Sequence, residues 1–361
     1  MTTLTEEAEL RVDVRDDWNN LFGKGLPISE GSGITSRFEF VDVLDRVLVP
    51  AEAKRIFWTI EAEGRDHYFP CFIEKKSNRF VSWAELRHIP DLYPGRSGLA
   101  ELIGNESNIS AALENVFDQQ ERWDSFSLCV LAGGPMERCL LAAARRRNAI
   151  PYLESALNYP YVILPGNWDE LYSGFSKKFR YNIRNSQKLI KELGELSLKR
   201  VTSENEVREF LDAVYSIERN SWKEEAGTSL TKNKIQEVFH EQLAPIAADS
   251  GLFRSYVLYL NCTPVAHVYG LLCHGVFYSL KLSYIEQYRK VAPGIVLTAL
   301  VLQDLIADGV KCWDWSGPSE EYKRRWSKDV YCLRTYKFFG NSWKGQLLRF
   351  RTRVKEYLPS N

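Results

Sequence analysis

Hydrophobic positions recur most regularly between Leu252 and Trp326. Phe253 to Leu260 is rich in Tyr, Val and Leu, the composition of a strand. Asn261-Cys262-Thr263-Pro264 supplies a turn, Val265 to Leu272 reads as a second strand and Val276 to Leu282 as a third, with the hairpin-sized Cys273-His274-Gly275 between them. Pro293-Gly294 breaks the strand pattern. From Gly294 to Ala307 the apolar residues Ile295, Leu297, Leu300, Val301, Leu305 and Ile306 fall near helical spacing. A further strand leads into Trp313-Asp314-Trp315-Ser316-Gly317-Pro318, and a short helix carries Tyr322, Lys323 and Trp326, with Pro318 suited to its first turn.

The preceding half repeats this sheet-then-helix alternation in looser form, without a visible sequence repeat. Residues 1 to about 30 are polar. Ser36 to Leu48 reads as a helix. Arg55 to Glu61 and His67 to Lys75 read as paired strands across Gly64-Arg65-Asp66, and Phe80 to Leu86 as a third. His88 to Gly98 is turn-rich. Ser110 to Gln119 predicts a helix, Asp124 to Leu131 a strand, and Pro135 to Asn148 a helix opened by Gly133-Gly134-Pro135, which is either a simple helix start or a phosphate cradle. Tyr159 to Leu164 closes this half as a strand, and Pro165-Gly166 marks the boundary. The chain thus reads as two domains, 1–165 and 166–361, of mixed α/β class.

Between them lie the helices of the second half. Asn167 can cap a short helix from Trp168. Lys177 to Leu193 is basic on one side, with Lys178, Arg180 and Arg184 among its cations, and apolar on the other; that basic side is either solvated or meets an anion. Ser203-Glu204-Asn205-Glu206 has the form of a capping box. The helix after it delivers Glu218, then Ser221-Trp222-Lys223. Thr231 to Ala248 is a helix interrupted at Pro245. After the regular core, Tyr331 to Phe339 is a strand and Ser342 to Leu358 a basic amphipathic helix, which packs on its own domain or, in a second reading, touches a membrane surface.

Composition narrows the function classes. The 361 residues hold 47 Lys+Arg against 47 Asp+Glu, so the strongly basic footprint of a nucleic-acid binder is absent and no nucleic-acid partner is expected. Seven scattered cysteines without a CxxC pair read as reduced thiols of the cytosol, and five dispersed histidines give no metal-ligand spacing, so no metal is expected. The N-terminal residues lack the basic and apolar regions of a signal peptide, and no apolar run has the length of a membrane span. The expected location is cytoplasmic, or peripheral to the inner membrane face.

Candidate chemistry centres on the start of the helix after Pro293. Backbone amides there lack intrahelical partners, and with the helix dipole they form an anion site. Glycine allows close approach to the backbone. The competing reading is an ordinary strand-to-helix turn.

Taken together, Lys177-Lys178-Phe179-Arg180-Tyr181-Asn182-Ile183-Arg184-Asn185, Glu218 with Ser221-Trp222-Lys223, Pro264-Val265-Ala266, Tyr284 with Tyr288 and Pro293-Gly294, and Gly317 with Tyr322-Lys323 and Trp326 resemble the GNAT N-acyltransferases. The likeness is sharpest to the CelD/BcsL-like, Fem-related families, and covers about half of the chain. It departs from the usual Arg/Gln-x-x-Gly-x-Gly/Ala turn, of which Arg289 and Gly294 remain, out of register.

The resemblance implies two tandem GNAT-like domains with a degenerate N-terminal one. It implies acyl-CoA as co-substrate, held by Arg289, Ala292, Pro293, Gly294 and Ile295, and an N-acyltransferase acting on a small-molecule or lipid amine (an amino sugar, an amino acid or a sphingoid-type base). It implies Tyr322 as acid for the leaving thiolate. For the base, Glu218 ranks before Asp314, which sits between two tryptophans, and before His267, which is mid-strand. Lys178, Arg180, Arg184, Trp222, Lys223, Lys281, Tyr284, Lys323 and Trp326 are the candidate substrate-binding residues. A Fem-like transferase fed by aminoacyl-tRNA and a non-catalytic module of a polysaccharide system are the alternatives.

Overall fold

The computed structural model describes residues 10–13, 34, 37–62, 65–93 and 106–357. Most of the polar N-terminal stretch, Gly64 of the first expected turn, and Pro94 to Gly98 of the turn-rich segment lie outside them. The chain divides into two compact units, 1–157 with 332–361, and 158–331.

In the first unit, β1 (Leu10–Asp13), α1 (Phe38–Leu48), β2 (Lys54–Ala62), β3 (Arg65–Ser77) and β4 (Ser82–His88) precede α2 (Glu106–Asp118), β5 (Ser125–Leu131) and α3 (Pro135–Arg146). β2, β3 and β4 are antiparallel neighbours. β5 lies parallel to β4, with Glu85 opposite Ser125, as a connection through a crossover helix allows. Gly133-Gly134-Pro135 is a helix start whose donor is already satisfied: Gly133 N–H reaches Glu137 Oε2 at 2.7 Å. The chain's own carboxylate thus sits where a phosphate was one of the two readings.

β6 (Tyr152–Ile163) carries the chain into the second unit, which continues through α4 (Trp168–Ser173), α5 (Lys177–Glu192), β7 (Leu196–Val201), α6 (Glu204–Arg219), α7 (Trp222–Glu225), α8 (Lys234–Asp249), β8 (Ser255–Leu260), β9 (Thr263–Cys273), β10 (Val276–Tyr284), α9 (Pro293–Ala307), β11 (Cys312–Asp314) and α10 (Glu321–Arg324). The strand order is β6-β11-β10-β9-β8-β7. β12 (Asp329–Phe339) and α11 (Trp343–Tyr357) then return to the first unit.

The two units share one order: three antiparallel strands, a helix, a strand parallel to the third, and a second helix. Each closing strand comes from across the chain. β6 follows the first unit's last crossover helix but pairs antiparallel with β11, Val162 opposite Trp313. β12 follows α10 but pairs with β5, Thr335 opposite Cys129. This exchange is why the division falls at 157/158 and 331/332 rather than at Pro165-Gly166. A boundary read from turn residues marks where an element ends, not which sheet it joins.

Local chemistry explains most helix starts. Asn167 Oδ1 accepts from Glu170 N at 2.9 Å, and Ser176 Oγ from Phe179 N at 3.2 Å. The capping box at Ser203 is not made: its hydroxyl donates to Glu206 Oε2 at 2.8 Å instead. Pro318 is not in the first turn of α10, whose N-cap is Glu320.

β9 and β10 carry different chemistry on their two faces, because successive side chains point opposite ways. Ala266, Val268 and Leu282 join a core with Phe179 and Ile183 of α5 and Val296 and Leu297 of α9. On the other face, His267 meets α6, while the Tyr269 hydroxyl donates to His240 O of α8 at 3.1 Å. The polar centre of the unit lies on that second face.

Candidate active site

β11 ends at Asp314, so its parallel pairing with β10 covers only Val276 to Tyr278. Beyond that point the two strands part. β10 keeps β9 as its partner, with a register shift between Ser279 and Lys281. Such a bulge increases local twist and re-aims side chains. Trp313 Nε1 donates to Ser279 Oγ at 3.0 Å and closes the inner end of the fork. Further out, Lys223 Nζ donates to the carbonyl of Leu282 at 2.5 Å.

Around this edge five titratable side chains from five elements act on one another. Glu218 ends α6, with 0 % exposure. Its Oε1 lies 3.2 Å from His267 Nε2 of β9, and its Oε2 accepts from Leu230 N at 3.0 Å. Burial pushes the Glu218 pKa up, but the His267 hydrogen bond and the charge of Lys223 outweigh it, leaving the carboxyl at about 2. Burial pushes His267 down, which keeps the imidazole neutral. Lys223 of α7 is lowered to about 8, by burial first, against the opposing pull of Glu218 and with a smaller push from Lys281. Burial also lowers Lys281, whose Nζ donates to Gln236 Oε1 at 3.0 Å. His240 of α8 is lowered to about 4, mainly by burial.

The three base candidates therefore differ from expectation in access. Both oxygens of Glu218 are committed, and neither Glu218 nor His267 reaches solvent. Asp314 is also committed: Oδ1 accepts from Ser316 N at 2.7 Å and Oδ2 from the Tyr331 hydroxyl at 2.9 Å. It holds the turn in which Ser316 takes a left-handed φ of 47°. Lys223 is half-buried, and its lowered pKa of about 8 marks it as a further candidate. Sequence reasoning listed it with the substrate-binding residues. Its setting depends on Glu218 five residues before and Lys281 far downstream, so no local pattern marks it.

At the start of α9 the anion site is narrower than expected. Pro293 has no N–H, and the amides of Ile295 and Val296 both turn to Ala292 O, at 2.9 and 3.3 Å. Gly294 N–H is the amide of the first turn not spent this way. Ala292 is left-handed, φ 49° and ψ 60°, a conformation costly for a residue with a Cβ. The side chains of Arg289 and Lys290 precede it, both exposed. One amide, the helix dipole and two cations fit an anion such as the pyrophosphate of CoA, which Gly294, Arg289 and Lys290 would hold. Gly294 has a packing reason too: a Cβ there would stand 3.3 Å from the Tyr284 ring.

Tyr322 lies on α10, 42 % exposed, with its ring edge-on to Trp315 at 6.1 Å. Its pKa is nevertheless pushed up, by desolvation first and then by the neighbouring Glu320 charge, so the hydroxyl keeps its proton. Lys323 is 6 % exposed and donates to Pro318 O at 3.0 Å. Trp326 does not line the fork: it packs against Phe179 at 4.8 Å and Phe175 at 5.6 Å, both edge-to-face, as core. Lys178 and Arg184 project into solvent from α5, and Arg180 spends a donor on Ser173 O at 2.7 Å. Trp222 is 47 % exposed beside Lys223. The structure thus gathers Glu218, His267, Lys223 and Lys281, and sets α5 and its cations apart from them. Among the described residues, no group of three or more His, Cys, Asp or Glu side chains could hold a metal ion.

Residues 177–324 match the family model described as an acetyltransferase (GNAT) domain. No curated protein matches the chain in sequence. The crystal structure of FemX is similar in fold, with a TM-score of 0.61 at 11% identity over 94% of this chain and 99% of that one. A conserved protein of unknown function from Bacteroides thetaiotaomicron gives 0.52 at 14% identity, over 84% of this chain and 90% of that one. A tandem GNAT protein from the clavulanic acid biosynthesis pathway gives 0.44 at 11% identity, over 93% and 100%. The protein has a mixed α/β fold of two units, and the GNAT domain match falls within the second of them.

Proposed function

We propose that the acetyltransferase (GNAT) domain of residues 177–324 moves an acyl group from acyl-CoA to an amine acceptor. The observation that carries this reading is the fork between β10 and β11, with a helix start at one side and a lysine of pKa about 8 on its edge. Bound acyl-CoA would supply the thioester. Gly294 N–H, Arg289 and Lys290 would hold its phosphates.

The rest is done by the chain. An acceptor arrives as an ammonium ion and must lose a proton before it attacks. Lys223, neutral in part near pH 8, takes that proton at Nζ. Glu218 keeps Lys223 from falling lower and is itself too buried to touch the acceptor. Tyr322, held as a phenol, gives its proton to the departing thiolate.

The reading is tested by melting the protein with CoA, acetyl-CoA and palmitoyl-CoA. A ligand that binds only the folded state raises the melting temperature by mass action. A shift with CoA species, followed by thiol release with an amine acceptor, is the expected result. No shift with any of them rejects it. One observation favours a second reading, an aminoacyl-tRNA donor: the start of α9 offers a single uncommitted amide in its first turn. That donor would raise the melting temperature where CoA does not.

A further inference from the structure

We propose that α11 is a membrane-surface helix whose outward ridge of Trp343, Phe350 and Val354 seats in the headgroup boundary of a bilayer containing anionic lipid. The three residues are 68 %, 65 % and 36 % exposed. They follow one another at seven and four residues, which puts them on one stripe of a helix.

The opposite side of the helix is the one that packs. Gly345 is buried, and a Cβ there would stand 2.3 Å from Gly340 O. Its N–H donates to Ser342 Oγ at 3.0 Å, and Ser342 in turn donates to Asp124 Oδ1. On the flank of the ridge, Gln346 Nε2 donates to Gly340 O at 3.0 Å. Gly345 is two residues, hence about 200° around the helix, from Trp343. The fixed side therefore holds the ridge facing out.

Cations flank the ridge on both sides. Lys344 and Arg351 fall along one border, Arg349 and Arg353 along the other. Counting Lys355, five cations face one anion, Glu356, in a helix of a chain whose formal charge is zero. Single exposed aromatics are ordinary. Two aromatics and a valine in line, with a cationic border, form the pattern of an interfacial helix. Tryptophan favours the headgroup level, and lysine and arginine are drawn to anionic leaflets. Two copies docked ridge to ridge would bring arginine borders together, and a nucleic acid would use the cations without needing the ridge. Neither matches both features at once.

The test uses the full chain and sedimentation with two kinds of vesicle, phosphatidylcholine alone and an equimolar mixture with phosphatidylglycerol. Binding to the mixed vesicles and not to the neutral ones is expected. Both Trp343→Ser with Phe350→Ser and Arg351→Glu with Arg353→Glu should weaken that binding at least about tenfold. Melting followed by circular dichroism should match the parent for the charge-reversed pair, so loss of binding there is not loss of fold. Three results overturn the proposal: no binding to mixed vesicles, binding that survives Trp343→Ser with Phe350→Ser, or self-association through the ridge without vesicle binding. None of them bears on acyl transfer, which is read separately.

Discussion

Glu218 of α6 and His267 of β9 meet with no access to water, Oε1 to Nε2 at 3.2 Å and both side chains 0 % exposed. The carboxyl stays ionised, and burial keeps the imidazole neutral, so the contact is a charge-assisted hydrogen bond donated by Nε2–H. It fixes a helix end to the sheet and places a permanent negative charge behind Lys223.

Replacing Glu218 by Gln keeps the shape and removes the charge. The amide then offers a single oxygen to two donors, His267 Nε2–H and Leu230 N–H, so one is left facing an NH2 group. The expected cost is about 1–3 kcal/mol, read from urea unfolding at neutral pH. An unchanged midpoint would mean that the pair contributes nothing to stability.

The same pair sets a pH dependence. Glu218 has a folded pKa of about 2 against an ordinary 4.5, so its contribution is present above 4.5 and is lost as pH falls towards 2. His267, also lowered, adds a loss in the same direction that begins below its ordinary 6.5. Unfolding free energies measured from pH 7 downward should fall more steeply below 4.5 for the parent than for Glu218→Gln. Parallel curves would contradict the assignment.

Lys223 sets the alkaline side. If it accepts the proton of the acceptor, kcat/KM should rise with pH through about 8. Lys223→Met should remove that limb and lower kcat by about 10²-fold, while the CoA-induced rise in melting temperature persists. Glu218→Gln should move the limb to lower pH, because Glu218 is the charge that raises Lys223. A limb that stays in Lys223→Met belongs to another group.

Tyr322→Phe removes the hydroxyl and leaves the ring against Trp315. If the hydroxyl protonates the thiolate, kcat should fall by about 10²-fold with CoA affinity unchanged, as measured by steady-state kinetics and calorimetry. Unaltered turnover removes Tyr322 from the mechanism.

Gly270 in β9 lies beneath Phe277. A Cβ there would stand 2.4 Å from two atoms of that ring and 2.9 Å from Arg254 O. Gly270→Ala should therefore destabilise by about 1–3 kcal/mol through overpacking, checked by denaturant midpoint. A neutral result would show that Phe277 moves aside freely.

Most elements were legible because their signals are local. Asn167 caps α4 through a bond to Glu170, Pro293 opens α9 because its fixed φ and missing N–H suit a first helical position, and the tyrosine- and valine-rich run before Asn261 needs only its own composition to read as a strand. Signals that leave a choice between partners, or that act over long separations, were not. Ser203 has the letters of a capping box, yet its hydroxyl turns to the Glu206 carboxylate. Trp326 has the spacing to share a face with Tyr322, yet the aromatic rings of Phe175 and Phe179 draw it into the core.

The sequence by itself determined the order of elements and the two-part α/β plan, because periodicity and turn residues act within a few positions. Only the tertiary structure decided which sheet β6 and β12 join. It also decided that Glu218 and His267 are sealed from solvent, and that burial lowers the half-buried Lys223 to a pKa of about 8. Those outcomes depend on desolvation and on charges brought together from α6, α7, β9 and β10. Burial is a property of the packed unit, not of any stretch of letters.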